Sequence, residues 1–466
     1  MRRLSPASPS LLGLALALCA AVSARAAAPE SVRAEARAIF AAAVGFETSE
    51  GKAQVPRLAG FLAERFRAAG FAADDVQVIP HGETAAMLVR YRGSGGGRPV
   101  LLLAHLDVVP ARTEDWERPP FELIEEGGYF FGRGAFDNKA DLALLTATFL
   151  RLASEGFVPS RDLVLAFSGD EETQMATTRL LAAKARELYA PEYALNSDGG
   201  SGVLDEETGA PLVYYVQGAE KSYATFELTA RNPGGHSSQP RDDNAIYDLA
   251  AALLALKAHR FPVMWNDWTL GSFRASAAAT PGPLGDAMRR FAADPRDASA
   301  AEALAANPQH VGRTRTTCVA TMLNAGHAEN ALPQSASATV NCRIFPGQSV
   351  DEVHQTLQRI AGPQLSLRVI GTPIGSDPSP LREDVMRAVT RAVHAARPGV
   401  PIVPDMAPYA TDGAIYRAAG IPTYGVSSVF LKGSDEFAHG LNERIPVASF
   451  YAGLEHWYAL LKSVAQ

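Results

Sequence analysis

The sequence predicts an α/β protein: a mostly parallel sheet with helices on both faces, interrupted by a smaller α+β domain. Three observations predict it. "RPVLLLAHLDVVP" and "DLVLAFSGDEE" are apolar runs of strand length that end in polar residues, as strands buried on both faces do. Between them, "NKADLALLTATFLRLASEG" places apolar residues at helical spacing and stops at a glycine. A third, shorter strand follows in "EYALNSDGG". Strands alternating with helices imply a parallel sheet, whose ligand sites gather at the carboxyl ends of the strands. His105 and a run of acids stand at those ends.

The 466 residues suffice for two or three domains, and 47% hydrophobic with 20% charged residues is a globular composition. A net charge of -7, with no stretch rich in Lys and Arg, argues against a nucleic-acid partner. At the N-terminus Arg2 and Arg3 precede the twelve-residue apolar stretch "LLGLALALCAAV" and then "SARAAAP". That order describes a cleavable signal peptide over residues 1–26. Twelve residues fall short of the roughly 20 needed to cross a bilayer core. The mature protein is expected to be exported, periplasmic or secreted, and free of the membrane.

The catalytic domain is expected in two parts, 27–217 and 347–466. Between them, from about Gly218, "KSYATFELTARN" alternates like a half-exposed strand and "AIYDLAAALLALKAHRF" reads as a helix. With the strands "TRTTCVATML" and "SATVNCRIF" these form the expected smaller α+β domain, 218–346. Those two strands carry Cys318 and Cys342, which either pair in an oxidising compartment or stay separate as small buried thiols.

The chemistry centres on "DLVLAFSGDEETQM", where a buried strand runs into Asp170, Glu171 and Glu172 with no Lys or Arg within six residues of them. Adjoining carboxylates at the edge of a core repel and need a cation. In "AHLDVV", His105 and Asp107 are two apart, so both point the same way from an extended strand; a metal-binding histidine needs its second ring nitrogen hydrogen-bonded, and Asp107 is placed to do this. In "FGRGAFDNKAD", Asp137 stands at the start of a helix, where an aspartate is either an N-cap, a metal ligand or both. Asp198 ends the third strand, and His439 lies in the polar loop "DEFAHGLNERIP". Ligands at 105, 137, 172, 198 and 439 supply two imidazoles and three carboxylates. Three carboxylates and one hydroxide balance two divalent cations, which points to two zinc ions bridged by Asp137; cobalt and manganese suit the same mixed donors. Of the adjacent acids Glu171 and Glu172, one can ligate while the other moves a proton.

With these motifs in place, the sequence resembles the di-zinc metallopeptidase family of glutamate carboxypeptidase, aminoacylase and succinyl-diaminopimelate desuccinylase. The resemblance rests on "HLDVVP", "GRGAFDNKA", "SGDEET", "NSDGG", "GGHSSQP", "ENALPQSASATVNCRIFPG" and "EFAHGLNE", in the family's order. It is strongest to the carboxypeptidase S (Gly-X carboxypeptidase) branch. It implies His105 and Asp198 on one zinc, Glu172 and His439 on the other, Asp137 bridging, Glu171 as general base and Asp107 orienting His105. It further implies that the 218–346 domain is a lid and dimerisation domain, that its His236 reaches the active site of a partner subunit, and that Asn330 and Arg343 contact the substrate's free carboxylate. A planar guanidinium suits that last task on its own chemistry, although a strand arginine in a surface ion pair is the plainer reading. The implied enzyme is a homodimeric exopeptidase acting on a peptide or an N-acyl amino acid. The family's paired glycines before Thr-Asp are replaced here by Tyr409 and Ala410, ahead of Thr411 and Asp412, so substrate preference does not carry over at this segment.

Overall fold

The computed structural model describes residues 28–466; the expected signal segment lies outside the described residues. Helices α1 (Glu30–Gly45) and α2 (Val55–Ala68) bury Ile39, Phe40 and Val44, and Leu58, Leu62 and Phe66, the three-and-four spacing of one apolar face. Strands β1 (Val76–His81) and β2 (Thr84–Tyr91) form an antiparallel hairpin. In β3 (Val100–His105) every residue is buried. After the short ribbon β4 (Ile124–Glu126) and β5 (Tyr129–Phe131), helix α3 (Lys139–Ser154) is buried along most of its length. Strand β6 (Leu163–Ser168) is again wholly buried, followed by α4 (Ala176–Tyr189), β7 (Tyr193–Asn196), β8 (Ser201–Leu204) and β9 (Pro211–Glu220).

The chain then leaves the large sheet. It forms β10 (Ser222–Arg231), the two-residue β11 (Gly235–His236) and α5 (Ala245–Ala258). Four helices follow: α6 (Asp267–Ala279), α7 (Gly282–Ala293), α8 (Ala298–Ala305) and α9 (Pro308–Val311). Next come β12 (Thr317–Ala325), β13 (Ala331–Leu332), β14 (Ser335–Ile344), α10 (Val350–Ala361) and β15 (Leu365–Ile370). The last stretch holds α11 (Glu383–Ala396), β16 (Ile402–Ala407), α12 (Asp412–Ala418), β17 (Thr423–Gly425), β18 (Phe430–Leu431), β19 (Arg444–Pro446) and α13 (Val447–Val464).

The large sheet runs β1-β2-β6-β3-β7-β17-β9-β8-β18, with β16 beside β9. Its centre is parallel, β6 to β3 to β7 to β17, and the expected α/β fold is what forms. Layers on both faces fill the core: α1, α3 and α13 on one side, α4 and α12 on the other. The small sheet, β12-β14-β10-β15, is antiparallel and is covered by α5 and α10, whose Leu249, Leu256, Val353 and Leu357 meet Phe226 and Val340.

The small domain differs from its expected span of 218–346 in two ways. It reaches Ile370, because α10 buries Val353, Leu357 and Ala361 in the small core and β15 pairs with β10. The helices α6 to α9, inside that span, turn back to the large domain. Trp268 sits in the large core and donates its indole N–H to the Ser379 carbonyl at 2.8 Å. A Cβ on Gly218 would lie 1.8 Å from the Trp268 ring, so only glycine lets β9 pass beneath it. Cys318 and Cys342 lie directly opposite each other on β12 and β14 and are joined as a disulfide.

Candidate active site

Three neighbouring parallel strands end at one edge, each delivering site residues. Strand β3 ends in His105, β6 leads through Ser168 and Gly169 into the three acids, and β7 leads through Asn196 to Asp198. The crossover loop ahead of α3 brings Asp137 over the same edge, and the loop ahead of β19 brings His439.

The buried His105 ring places Nδ1 3.0 Å from the backbone carbonyl of Asp107. A carbonyl only accepts, so Nδ1 carries the hydrogen and Nε2 turns its other valence to the cleft. Nε2 stands 2.8 Å from Asp137 Oδ1 and 3.9 Å from Asp198 Oδ1. The Asp107 carboxylate, 3.6 Å from Nδ1, is beyond hydrogen-bonding distance. It instead accepts from the backbone N–H groups of Glu171, at 3.1 Å, and Glu172, at 3.0 Å. Asp107 therefore meets His105 through its main chain and sets the turn of the two glutamates through its side chain.

His439 adopts a left-handed backbone, φ 64°, and its Nε2 lies 3.0 Å from Glu172 Oε2 and 3.2 Å from Asp137 Oδ2. The two oxygens of Asp137 thus face two different histidines. Three sets of ligand atoms lie within 4.8 Å of one another: His105 with Asp137 and Asp198, His105 with Glu171 and Glu172, and Asp137 with Glu172 and His439.

The three consecutive acids separate by function. The Asp170 carboxylate accepts from Ala176 N–H at 2.7 Å and Thr177 N–H at 2.9 Å, capping the start of α4. Glu171 is buried, and burial followed by the charge of Asp198 pushes its carboxyl well above the usual range. Glu172 faces His439. Asp137 is no helix cap: the N-cap of α3 is Asn138, while Asp137 turns to the histidines, its peptide bond to Asn138 cis.

The electrostatics follow from acids crowded around two imidazoles. Burial opposes charge on His105, but the carboxylates of Asp107, Asp137 and Asp198 outweigh it and hold its pKa well above the usual value. Hydrogen bonds to Asp137 and Glu172 raise His439 to about 10. Burial, then Asp137, raises the Asp198 carboxyl far above normal. Two imidazoles and three carboxylates, with one carboxylate spanning two clusters, are a donor set that fits two divalent ions.

The cluster opens into a cleft of about 890 Å³ between the domains, lined by Asp137, Glu171, Glu172, Asp198 and His439 on one wall. The other wall carries Arg343 and Tyr223 of the small sheet. The Arg343 guanidinium lies 4.7 Å from the centre of the Tyr223 ring. Burial lowers its pKa, and among the described residues no carboxylate pairs with it. Its plain reading as half of a surface ion pair does not hold. His236 and Asn330 sit together elsewhere, on the exposed ribbon of β11 and β13, where Ser237 N–H donates to the Asn330 carbonyl at 3.0 Å. Neither lines the cleft of its own chain.

Two acids behind the ligands went unmarked in the sequence reading. Asp412 is buried beneath β6, accepts from the Ser168 and Thr178 hydroxyls, and is raised by burial to about 6. Glu443 is buried beneath Asp137; its signal was its place in "HGLNE", four residues after His439.

Comparison with known proteins agrees with this geometry. The model of peptidase family M20/M25/M40 matches residues 101–463. The N-fatty-acyl-amino acid synthase/hydrolase PM20D1 of Xenopus tropicalis is 32% identical over 357 residues, covering 74% of this chain and 69% of that protein. Among solved structures, the M20 family metallo-carboxypeptidase Sso-CP2 from Sulfolobus solfataricus superposes with a TM-score of 0.69 at 18% identity, over 92% of this chain and 98% of its own. The YXEP protein of Bacillus subtilis, a dinuclear metal binding peptidase from the M20 family, gives 0.60 at 14% identity, over 94% of this chain and 98% of its own. The family model spans most of the chain, and this chain belongs to peptidase family M20/M25/M40.

Proposed function

We propose that the protein is an exported zinc-dependent exopeptidase that hydrolyses the amide bond next to a free C-terminal carboxylate. The observation that carries this is Asp137, whose two oxygens face His105 and His439 beside the buried Glu171, opposite an unpaired Arg343 across one cleft. In this reading His105 and Asp198 hold one zinc ion, Glu172 and His439 the other, and Asp137 bridges them; cobalt and manganese suit the same donors. Bound metal supplies Lewis acidity toward the scissile carbonyl and the attacking water.

The chain's own residues do the rest. Glu171 takes the proton of the attacking water and passes it to the leaving amine, and its burial keeps it basic enough for both steps. Asp107 holds the backbone of Glu171 and Glu172, so the base and its neighbouring ligand keep a set separation. Arg343 receives the free carboxylate in bidentate fashion and leaves internal peptide bonds without a foothold; Asn330, outside the cleft of its own chain, would assist from the lid of the second subunit. His236 approaches from the lid of a second subunit in a homodimer and donates to the developing oxyanion. Its exposure on the β11–β13 ribbon, outside its own cleft, supports that origin. Export rests on residues 1–26.

A second reading differs only in the acyl side: an N-acyl amino acid in place of a peptide. The name of the Xenopus relative and the apolar side chains of Ile370, Ile374, Ile415 and Leu431 along the cleft favour it.

The test is an endpoint assay with zinc-supplied protein on dipeptides, N-acyl amino acids and C-terminally amidated copies of each, with products identified by mass. Cleavage of dipeptides but not amidated copies supports the exopeptidase. Preference for N-acyl amino acids selects the second reading with the same site. Equal cleavage of free and amidated substrates overturns the carboxylate clamp, as does an Arg343→Ala variant whose KM for free-carboxylate substrates is unchanged.

A further inference from the structure

Beneath the Asp137 loop lies a buried ion pair that none of the roles above uses. Glu443 is fully buried, and both its oxygens are saturated. Oε1 accepts from Phe136 N–H at 2.7 Å and Asp137 N–H at 2.9 Å. Oε2 accepts from Gly134 N–H at 3.1 Å and from Arg133 Nη1 at 2.6 Å. Three backbone donors from one short loop therefore converge on one carboxylate, a curvature that Gly134 permits at φ 82°.

Arg133 completes the link. Its second terminal nitrogen donates to the His439 carbonyl at 3.3 Å, and its guanidinium stacks 5.0 Å from the Trp116 ring centre, which fixes the plane of the fork. The loop bearing Asp137 and the loop bearing His439 are 302 residues apart in the chain numbering, yet one Arg–Glu pair ties both. His439 needs such a tie, because its left-handed backbone is unfavourable for a residue with a side chain. His105 and Asp198 are delivered by strand ends of the sheet, and Glu172 by the turn that Asp107 holds.

We infer that Glu443, with Arg133, is a positioning residue that makes the Asp137 and His439 loops one unit, so that the metal site formed by Asp137, Glu172 and His439 is assembled through this pair. The inference rests on the ligand assignment proposed above. It divides the two sites by how they are built: the one with His105 and Asp198 stands on the sheet, while the one with His439 depends on a clamp between loops.

The test titrates metal-free, full-length protein with cobalt, followed by visible absorption and calorimetry, and with zinc by competition. Wild-type protein is expected to bind two ions; a wild type that binds none overturns the ligand assignment itself, not merely the clamp. Glu443→Gln keeps the volume, but its amide presents an acceptor to only one of the two donor groups and a donor to the other. It is expected to bind the ion assigned to Glu172 and His439 at least 10-fold more weakly, and the ion assigned to His105 and Asp198, which shares only the Asp137 bridge, with a smaller loss. Glu220→Gln is the control, since Glu220 forms an equally buried pair with Arg417 and touches none of the proposed ligands. It is expected to lower thermal stability while retaining two ions. Should Glu443→Gln not fold, Arg133→Lys keeps the charge beside Glu443 but cannot reach the His439 carbonyl at the same time, and the ion assigned to Glu172 and His439 is expected to weaken in it as well. Wild-type affinity for both ions in whichever of these folds, or an equal loss in the Glu220→Gln control, overturns the inference.

Discussion

Glu171 and Glu172 are adjacent in the chain, yet their surroundings assign them different chemistry. Glu172 points at His439, 3.0 Å away, whereas Glu171 is buried with no hydrogen-bond partner of opposite charge, its carboxyl raised by burial and by Asp198. A carboxyl so placed holds a proton readily once the reaction supplies one. Replacing Glu171 by Gln is expected to lower kcat by about 100- to 10,000-fold with metal content unchanged, measured by turnover and elemental analysis on the same sample. Turnover within 10-fold of wild type would remove Glu171 from the role of base. The sequence marked both glutamates because three acids at a strand end demand an explanation. It could not say that Asp170 turns to the start of α4, accepting from two amides and the Thr177 hydroxyl, because that depends on how the chain turns after Gly169. Nor could it separate the carbonyl of Asp107 from its carboxylate: both are near His105 in any extended strand, and only the turn of the glutamates draws the carboxylate away.

At the scale of elements, strands β3 and β6 and helix α3 were legible because each is buried on all sides and therefore apolar throughout or at a clear helical period. The helices α6 to α9 lie inside the span expected for the small domain but pack on the large one. Alanine-rich segments carry little information about which surface they pack on, and here Trp268 enters the large core while Ser272 donates to Asp405 at 3.0 Å. Helix α13 contains a different kind of signal. His456 is buried between Tyr214 and Trp457, its ring centre 5.7 and 5.5 Å from theirs. Burial, with Arg397 adding to it, lowers its pKa to about 3. The folded state therefore binds fewer protons than the unfolded state between about pH 6.5 and 3, and stability falls as pH drops through that window, by up to about 1.4 kcal/mol per pH unit from this one group. His456→Phe keeps an aromatic ring there and is expected to flatten that part of the profile relative to wild type. Denaturant unfolding at pH 7, 6 and 5 measures it; parallel profiles for the two proteins would contradict the assignment.

For the whole molecule, the small domain has two faces with separate consequences. One carries Arg343 to the cleft. The other leaves β12 as an open edge with Val319, Met322 and Leu323 at 61%, 69% and 66% exposure, next to exposed Tyr247 and Leu254 on α5. An apolar edge strand of this kind invites pairing with another chain, and the proposed homodimer would cover it while bringing His236 to a partner. Met322→Asp with Leu323→Asp is expected to yield a monomer by light scattering, with both metal ions retained and turnover reduced for want of the partner's histidine. A monomeric variant with wild-type turnover would contradict the shared site.

The sequence alone determined the strand-ending motifs, the number and type of candidate ligands, the α/β class and the interruption by a second domain. Each of these is a local property: a buried strand must be apolar, and the residues at its carboxyl end are adjacent to it in the chain. Only the tertiary structure decided that Asp137 faces two histidines, that Arg343 is unpaired and turned to the cleft, that Cys318 and Cys342 are bonded, and that Arg133 and Glu443 tie two loops together. The disulfide depends on the register of β12 against β14 in the small sheet, and the other outcomes depend on segments distant in the chain meeting in space. A carboxylate reads the same in sequence whether it caps a helix, binds a cation or braces a loop; what surrounds it in space sets which of these it does.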